Sequence, residues 1–210
     1  MWYVQVTTDH IVPVLAHHCG RRTSTVVHAF VPGVGITYAP VDSPDTPLGW
    51  ADLHRHGLDE RTLHRLAFGN LHAMIDTASL HGSPPALMAS FHGIESSLLL
   101  ADVFWAELVP ELPGTPVVAV PARDVLVITG SDSPAGLDKA HRCVERVMFA
   151  NPHHSLVPDL LERRGDRWHV FDDVPAAVEE PVGTWDDGYG EAYERWSTPE
   201  DRTIVPRQQR

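Results

Sequence analysis

Residues 91–130 read FHGIESSLLLADVFWAELVPELPGTPVVAVPARDVLVITG, and they decide the fold. Two runs rich in β-branched residues, 117–120 and 125–129, flank Pro121-Ala122-Arg123-Asp124, a short connection suited to a hairpin. Ahead of them, 94–111 reads as a helix on which Leu98, Leu99, Leu100, Val103, Phe104, Trp105 and Leu108 cover nearly the whole circumference. A helix apolar on most faces is buried on most faces, so this stretch belongs to the core. It also sets a charged and hydroxylated group, Glu95-Ser96-Ser97, at the start of that helix.

Working outward, the first 40 residues alternate as strands do, at 2–6, 11–16, 25–30 and 36–38. The Pro-rich passage 39–47 cannot extend a ladder or a helix and reads as a loop. A short helix over 50–56 stops at Gly57, and Asp59 is placed to cap the next. From there Leu63, Leu66, Ala67, Leu71, Met74 and Ile75 recur at helical spacing, predicting a helix of about five turns ended by Gly82, Ser83, Pro84 and Pro85. A strand is expected at 86–91. Ser133-Pro134 opens a helix that Asn151-Pro152 closes, and runs at 160–163 and 167–171 flank Arg164-Gly165-Asp166 as a second hairpin. Helices and strands grouped in this order predict an α+β domain over 1–174, a mainly antiparallel sheet with two or three helices covering one side. An acidic, aperiodic tail is expected over 175–210. Strict βαβ alternation is missing, which argues against a doubly wound dinucleotide fold.

The formal net charge of -12 opposes a nucleic-acid backbone as partner, since phosphate binding needs clustered Arg and Lys. The longest apolar runs fall short of a bilayer span, and the first 30 residues lack a signal-peptide pattern. Cys19 and Cys143 are the two cysteines and are expected as free thiols, so a cytoplasmic setting is expected, with no membrane association. One lysine, Lys139, against many arginines indicates GC-rich codon usage, and the 14 histidines are discounted accordingly.

The succession Glu95-Ser96-Ser97-Leu98-Leu99, Val118-Ala119-Val120-Pro121, Asp124-Val125-Leu126-Val127-Ile128 and Gly136-Leu137 resembles the C-terminal half of the YtpQ-like bacterial proteins, a domain of unknown function. The likeness runs from about Leu58 to Phe171; the acidic stretch after Val174 departs from it. The resemblance implies a scaffold and a bacterial cytosolic setting, and brings no catalytic residues with it.

Three carboxylates are candidates for chemistry. Glu95 and Asp102 lie seven apart on the expected helix, nearly on one face, and Asp124 sits at the exit of the hairpin connection. Paired carboxylates divide acid and base roles when their environments separate their pKa values. The structural readings are capping of a helix start by Glu95-Ser96-Ser97 and turn chemistry at Asp124. His17, His18 and Cys19 are the tightest group of metal-ligand types, yet adjacent strand residues point oppositely, so distant partners such as His153 or His154 would be needed. Cys143 lies between Arg142 and Arg146 without a further activation signature. No nucleophile elbow, phosphate-cradling loop or cofactor motif is found. The leading expectation is an accessory or regulatory domain binding a protein partner or small ligand, with Trp185, Tyr189, Tyr193 and Trp196 of the tail as anchors. The second is a small hydrolase or transferase using Glu95, Asp102 and Asp124, with or without a histidine-bound metal.

Overall fold

A computed structural model describes residues 8–18, 24–150 and 153–172. Along the chain run β1 (Ile11–His17), β2 (His28–Val31), β3 (Val34–Pro40), α1 (Trp50–His56), α2 (Glu60–Met74), β4 (Ser79–Ser83), β5 (Ala86–Ser90), α3 (Asp102–Leu108), β6 (Pro116–Ala122), β7 (Val125–Gly130), α4 (Pro134–Ala150), β8 (Leu160–Arg164) and β9 (Arg167–Val170). The strands form two antiparallel sheets, one of three in the order β1-β3-β2 and one of six in the order β4-β5-β7-β6-β8-β9. The α+β class is as the sequence indicates. The strand expected at 2–6 and the tail lie outside the described residues.

Every residue of β6 is buried, which requires cover on both faces of the larger sheet. On one face Val117, Ala119, Val127 and Leu160 pack against Leu137, Ala140 and Val144 of α4. On the other, Val118, Val120, Leu126, Ile128 and Leu161 join a larger core with Phe91, Leu98 and Trp105 and with residues of β1 and α2. Helices therefore lie on both sides, not one. The strict alternation of the hairpin makes this possible, because successive side chains on a strand face opposite ways.

α2 begins at Asp59, whose carboxylate accepts from the Thr62 amide at 2.6 Å, and Leu63, Ala67 and Leu71 repeat every fourth residue along its buried stripe. It ends at Met74, earlier than the periodicity suggests, and the Ser79–Ser83 stretch is an edge strand exposed at all five positions. An edge strand with no buried face carries no period-two signal to read.

The 94–111 stretch is not one helix. A 3-10 segment, Glu95–Leu100, is followed by a break at Ala101 (φ -102°, ψ 89°), then α3, then a 3-10 turn at Val109–Glu111. All six residues of the first segment are buried, and its carbonyls find unusual donors: Trp105 Nε1 bonds Leu98 O at 2.7 Å and Trp168 Nε1 bonds Leu99 O at 2.9 Å. Indole N–H groups buried in a core need such acceptors. Val103, expected inside, is half exposed because the break turns α3 away. No helix among the described residues is long and apolar enough to cross a membrane.

Candidate binding cleft

The β6–β7 turn is fixed from two directions. The Ser96 amide donates to Arg123 O at 2.9 Å, and on the other side the Arg123 amide donates to His154 O at 3.2 Å and the Leu156 amide to Pro121 O at 2.9 Å. Facing this turn is the 41–47 loop after β3, folded on itself by Ser43 N to Pro40 O and Thr46 N to Ser43 O, both 3.0 Å. The loop delivers Asp45 to Arg123, Nη1 to Oδ1 at 2.7 Å. The pair joins unlike environments, a guanidinium side chain 10% exposed and a carboxylate side chain 78% exposed.

Between the two sheets this leaves a cavity of about 260 Å³ lined by Arg123, Asp45, His17, His153 and His154, with the end of β1 and Thr37 as its wall. The Thr37 hydroxyl is committed to Val14 O at 3.0 Å. His154 Nε2 lies 3.2 Å from Asp124 Oδ1, within ion-pair distance. The hydrogen bond from Arg123, reinforced by its charge and by His154 and His153, holds the Asp45 carboxyl below the usual carboxylate range. Arg123 Nε has no hydrogen-bond partner among the described residues. One cation that cannot deprotonate and three imidazoles thus line the cleft with one solvent-exposed carboxylate, an arrangement suited to holding an anion.

The carboxylates singled out in the sequence have three different partners. Glu95 is buried, and its Oε1 accepts from the Phe91 amide at 2.8 Å and the Gly93 amide at 3.2 Å, closing the turn before the 3-10 segment. Its Oε2 and the hydroxyls of Ser96 and Ser97 are buried without hydrogen-bond partners among the described residues. Asp102 pairs with Arg163 at 2.8 Å in a separate depression beside Gly114 and Thr115, the break at Ala101 having cancelled the helical spacing from Glu95. Asp124 serves His154. Of the proposed ligands, His17 lines the cleft while His18 lies against the β2–β3 turn, where its amide donates to Gly33 O at 2.8 Å. Cys19 lies outside the described residues. Among the described residues, no group of three or more His, Cys, Asp or Glu is arranged to hold a metal ion.

Sequence reading passed over Arg123 as the neighbour of Asp124 and Asp45 as one more residue of a Pro-rich loop. The available signal is an arginine at the tip of a hairpin whose strands are otherwise apolar. A second polar cluster lies between α2 and the smaller sheet: Tyr38 Oη and His64 Nδ1 are 2.8 Å apart, with His28 edge-on to both rings and 3.3 Å from Glu60. Burial raises the Tyr38 pKa, so the phenol stays protonated; burial, and then His28, lowers that of His64. Burial also raises the Cys143 thiol against the pull of Arg146, the wrong direction for an activated nucleophile. Comparison of the chain with family models, with curated proteins and with solved structures finds no match in any of the three.

Proposed function

We propose that the chain is a cytoplasmic binding domain, accessory or regulatory in role, whose inter-sheet cleft takes a small anion. The observation that carries this reading is the buried Arg123 guanidinium set beside His17, His153 and His154, with an exposed carboxylate, Asp45, on the only ion pair it makes among the described residues. The cavity is smaller than the roughly 300–1,000 Å³ of pockets for drug-sized ligands, so the anion is of the size of inorganic phosphate or a short dicarboxylate. Separate engagement of Glu95, Asp102 and Asp124 favours binding over a shared acid–base site. A YtpQ-like relationship, resting on the Val-Pro-x-x-Asp-Val-Leu motif, is compatible with this reading and adds no chemistry to it.

Calorimetric titration with phosphate, succinate and citrate tests the proposal. At least one should bind, and Arg123→Gln should weaken it about tenfold or more, the loss expected for a charge-assisted bidentate contact. No binding by the unaltered chain, or equal binding by the variant, would sink it.

A further inference from the structure

The larger sheet is only partly roofed on its α4 side. Cross-strand partners define a row of side chains on that face: Leu160 on β8, Ala119 on β6, Val127 on β7, Met88 on β5 and His81 on β4. The first three are buried beneath α4, but Met88 is 51% exposed and His81 lies in the open. The row thus emerges from under the helix as it crosses from β7 to β5. A helix about 10 Å across covers roughly two strands spaced near 4.8 Å, and α4 sits over β6 and β7.

What borders the uncovered strip is cationic. Lys139, Arg142 and Arg146 recur at helical spacing along the flank of α4 that faces β5, and with Met88, Val127 and Val147 they line a groove of about 610 Å³. Asp138 occupies Arg142 at 2.7 Å, while Lys139 and Arg146 make no ion pair among the described residues. In a chain of net charge -12, whose single lysine stands here, a strip of three like charges beside an apolar floor is a concentrated exception. Exposed apolar surface rimmed by charge marks a place where something binds.

We infer that this groove is a second ligand site, specific for an amphiphilic organic acid. An aliphatic or aromatic body would lie on Met88, Val127 and Val147, and a carboxylate would be held by Lys139 and Arg146. The apolar floor excludes a bare inorganic anion as a good fit, and the cationic rim excludes a neutral hydrocarbon. The site is separate from the inter-sheet cleft and takes a different class of molecule, so the two readings stand or fall independently.

Titration of the full chain with monomeric dodecanoate, with dodecanol and with phosphate separates the outcomes. Dodecanoate should bind, dodecanol should bind about tenfold more weakly, and the double variant Lys139→Gln/Arg146→Gln should lose about as much for dodecanoate while its phosphate affinity stays unchanged. Met88→Asp, an exposed position, should abolish dodecanoate binding by placing a like charge on the floor. With Cys19 replaced by Ser, bound dodecanoate should also slow alkylation of Cys143, which lies in the groove. Equal binding of acid and alcohol, or dodecanoate binding indifferent to both sets of substitutions, would overturn the inference, as would failure of dodecanoate to bind at all.

Discussion

Arg123 and Asp45, 78 residues apart in sequence, meet at 2.7 Å across the gap between the two sheets, and only one of them is sheltered from water. The exposed member is carried by a loop and the buried member by a hairpin. On the proposed reading, Asp45 is a resident competitor for an anion entering the cleft. Asp45→Ala should tighten phosphate or dicarboxylate binding. Calorimetry on the variant checks this, and unaltered affinity would show that the loop carboxylate does not compete.

Glu95 distinguishes a structural from a catalytic carboxylate. Removing it by Glu95→Ala leaves the buried Phe91 amide and the part-buried Gly93 amide without their acceptor, at a cost of about 1–3 kcal/mol for the buried group. Glu95→Gln retains an acceptor oxygen for both amides and should cost less than half as much. Urea unfolding of the two variants reads the difference; equal losses would show that charge, not acceptance, is what the turn needs.

Gly136 marks where α4 touches the sheet. A β-carbon there would overlap Thr129 Oγ1 and stand 2.5 Å from the carbonyl oxygen of Pro85. The Thr129 hydroxyl already bonds that carbonyl at 2.8 Å, so neither group has room to retreat. Gly136→Ala should destabilise by about 1–3 kcal/mol, the range for overpacking, although alanine is the better helix former. A thermal melt no lower than that of the unaltered chain would contradict this packing.

His64 gives the protein a predictable acid sensitivity. Its pKa in the folded state lies below the ordinary 6.5, so over the interval just under pH 6.5 the unfolded chain takes up a proton that the folded chain refuses. Stability contributed by the neutral ring is present above that interval and is lost as pH falls through it. Asp45, Asp52 and Asp59 also have lowered values and act only at lower pH, near or below 3.8. Melting curves of the unaltered chain and of His64→Gln should diverge in slope as pH falls below 6.5, the variant being flatter. Parallel curves would remove His64 as the cause.

Much of this architecture is legible in the residues because it follows from burial. The hairpin of β6 and β7 is written in Val117-Val118-Ala119-Val120 and Val125-Leu126-Val127-Ile128, and α4 in the spacing of Leu137, Ala140 and Val144. What escapes is what burial does not encode. Ser79-Leu80-His81-Gly82-Ser83 is a strand only because β5 lies beside it. The 95–100 segment is apolar enough for a helix, but its geometry is set by indoles donating from residues 105 and 168, the second of them far along the chain. The cleft is less legible still, since its residues come from β1, the loop after β3, a hairpin tip and the approach to β8, and only folding brings the four together.

The two indoles that hold the 95–100 segment also meet each other, Trp105 and Trp168, with ring centroids 4.8 Å apart at 72°. Chromophores locked that closely at a fixed angle couple their transitions, so the native chain carries its own optical signature in the near ultraviolet. A state that keeps its secondary structure but loosens its packing would lose that signal first. Every substitution described above can thus be sorted spectroscopically: one that silences a binding site while the indole couplet persists has altered chemistry, and one that erases the couplet has undone the core.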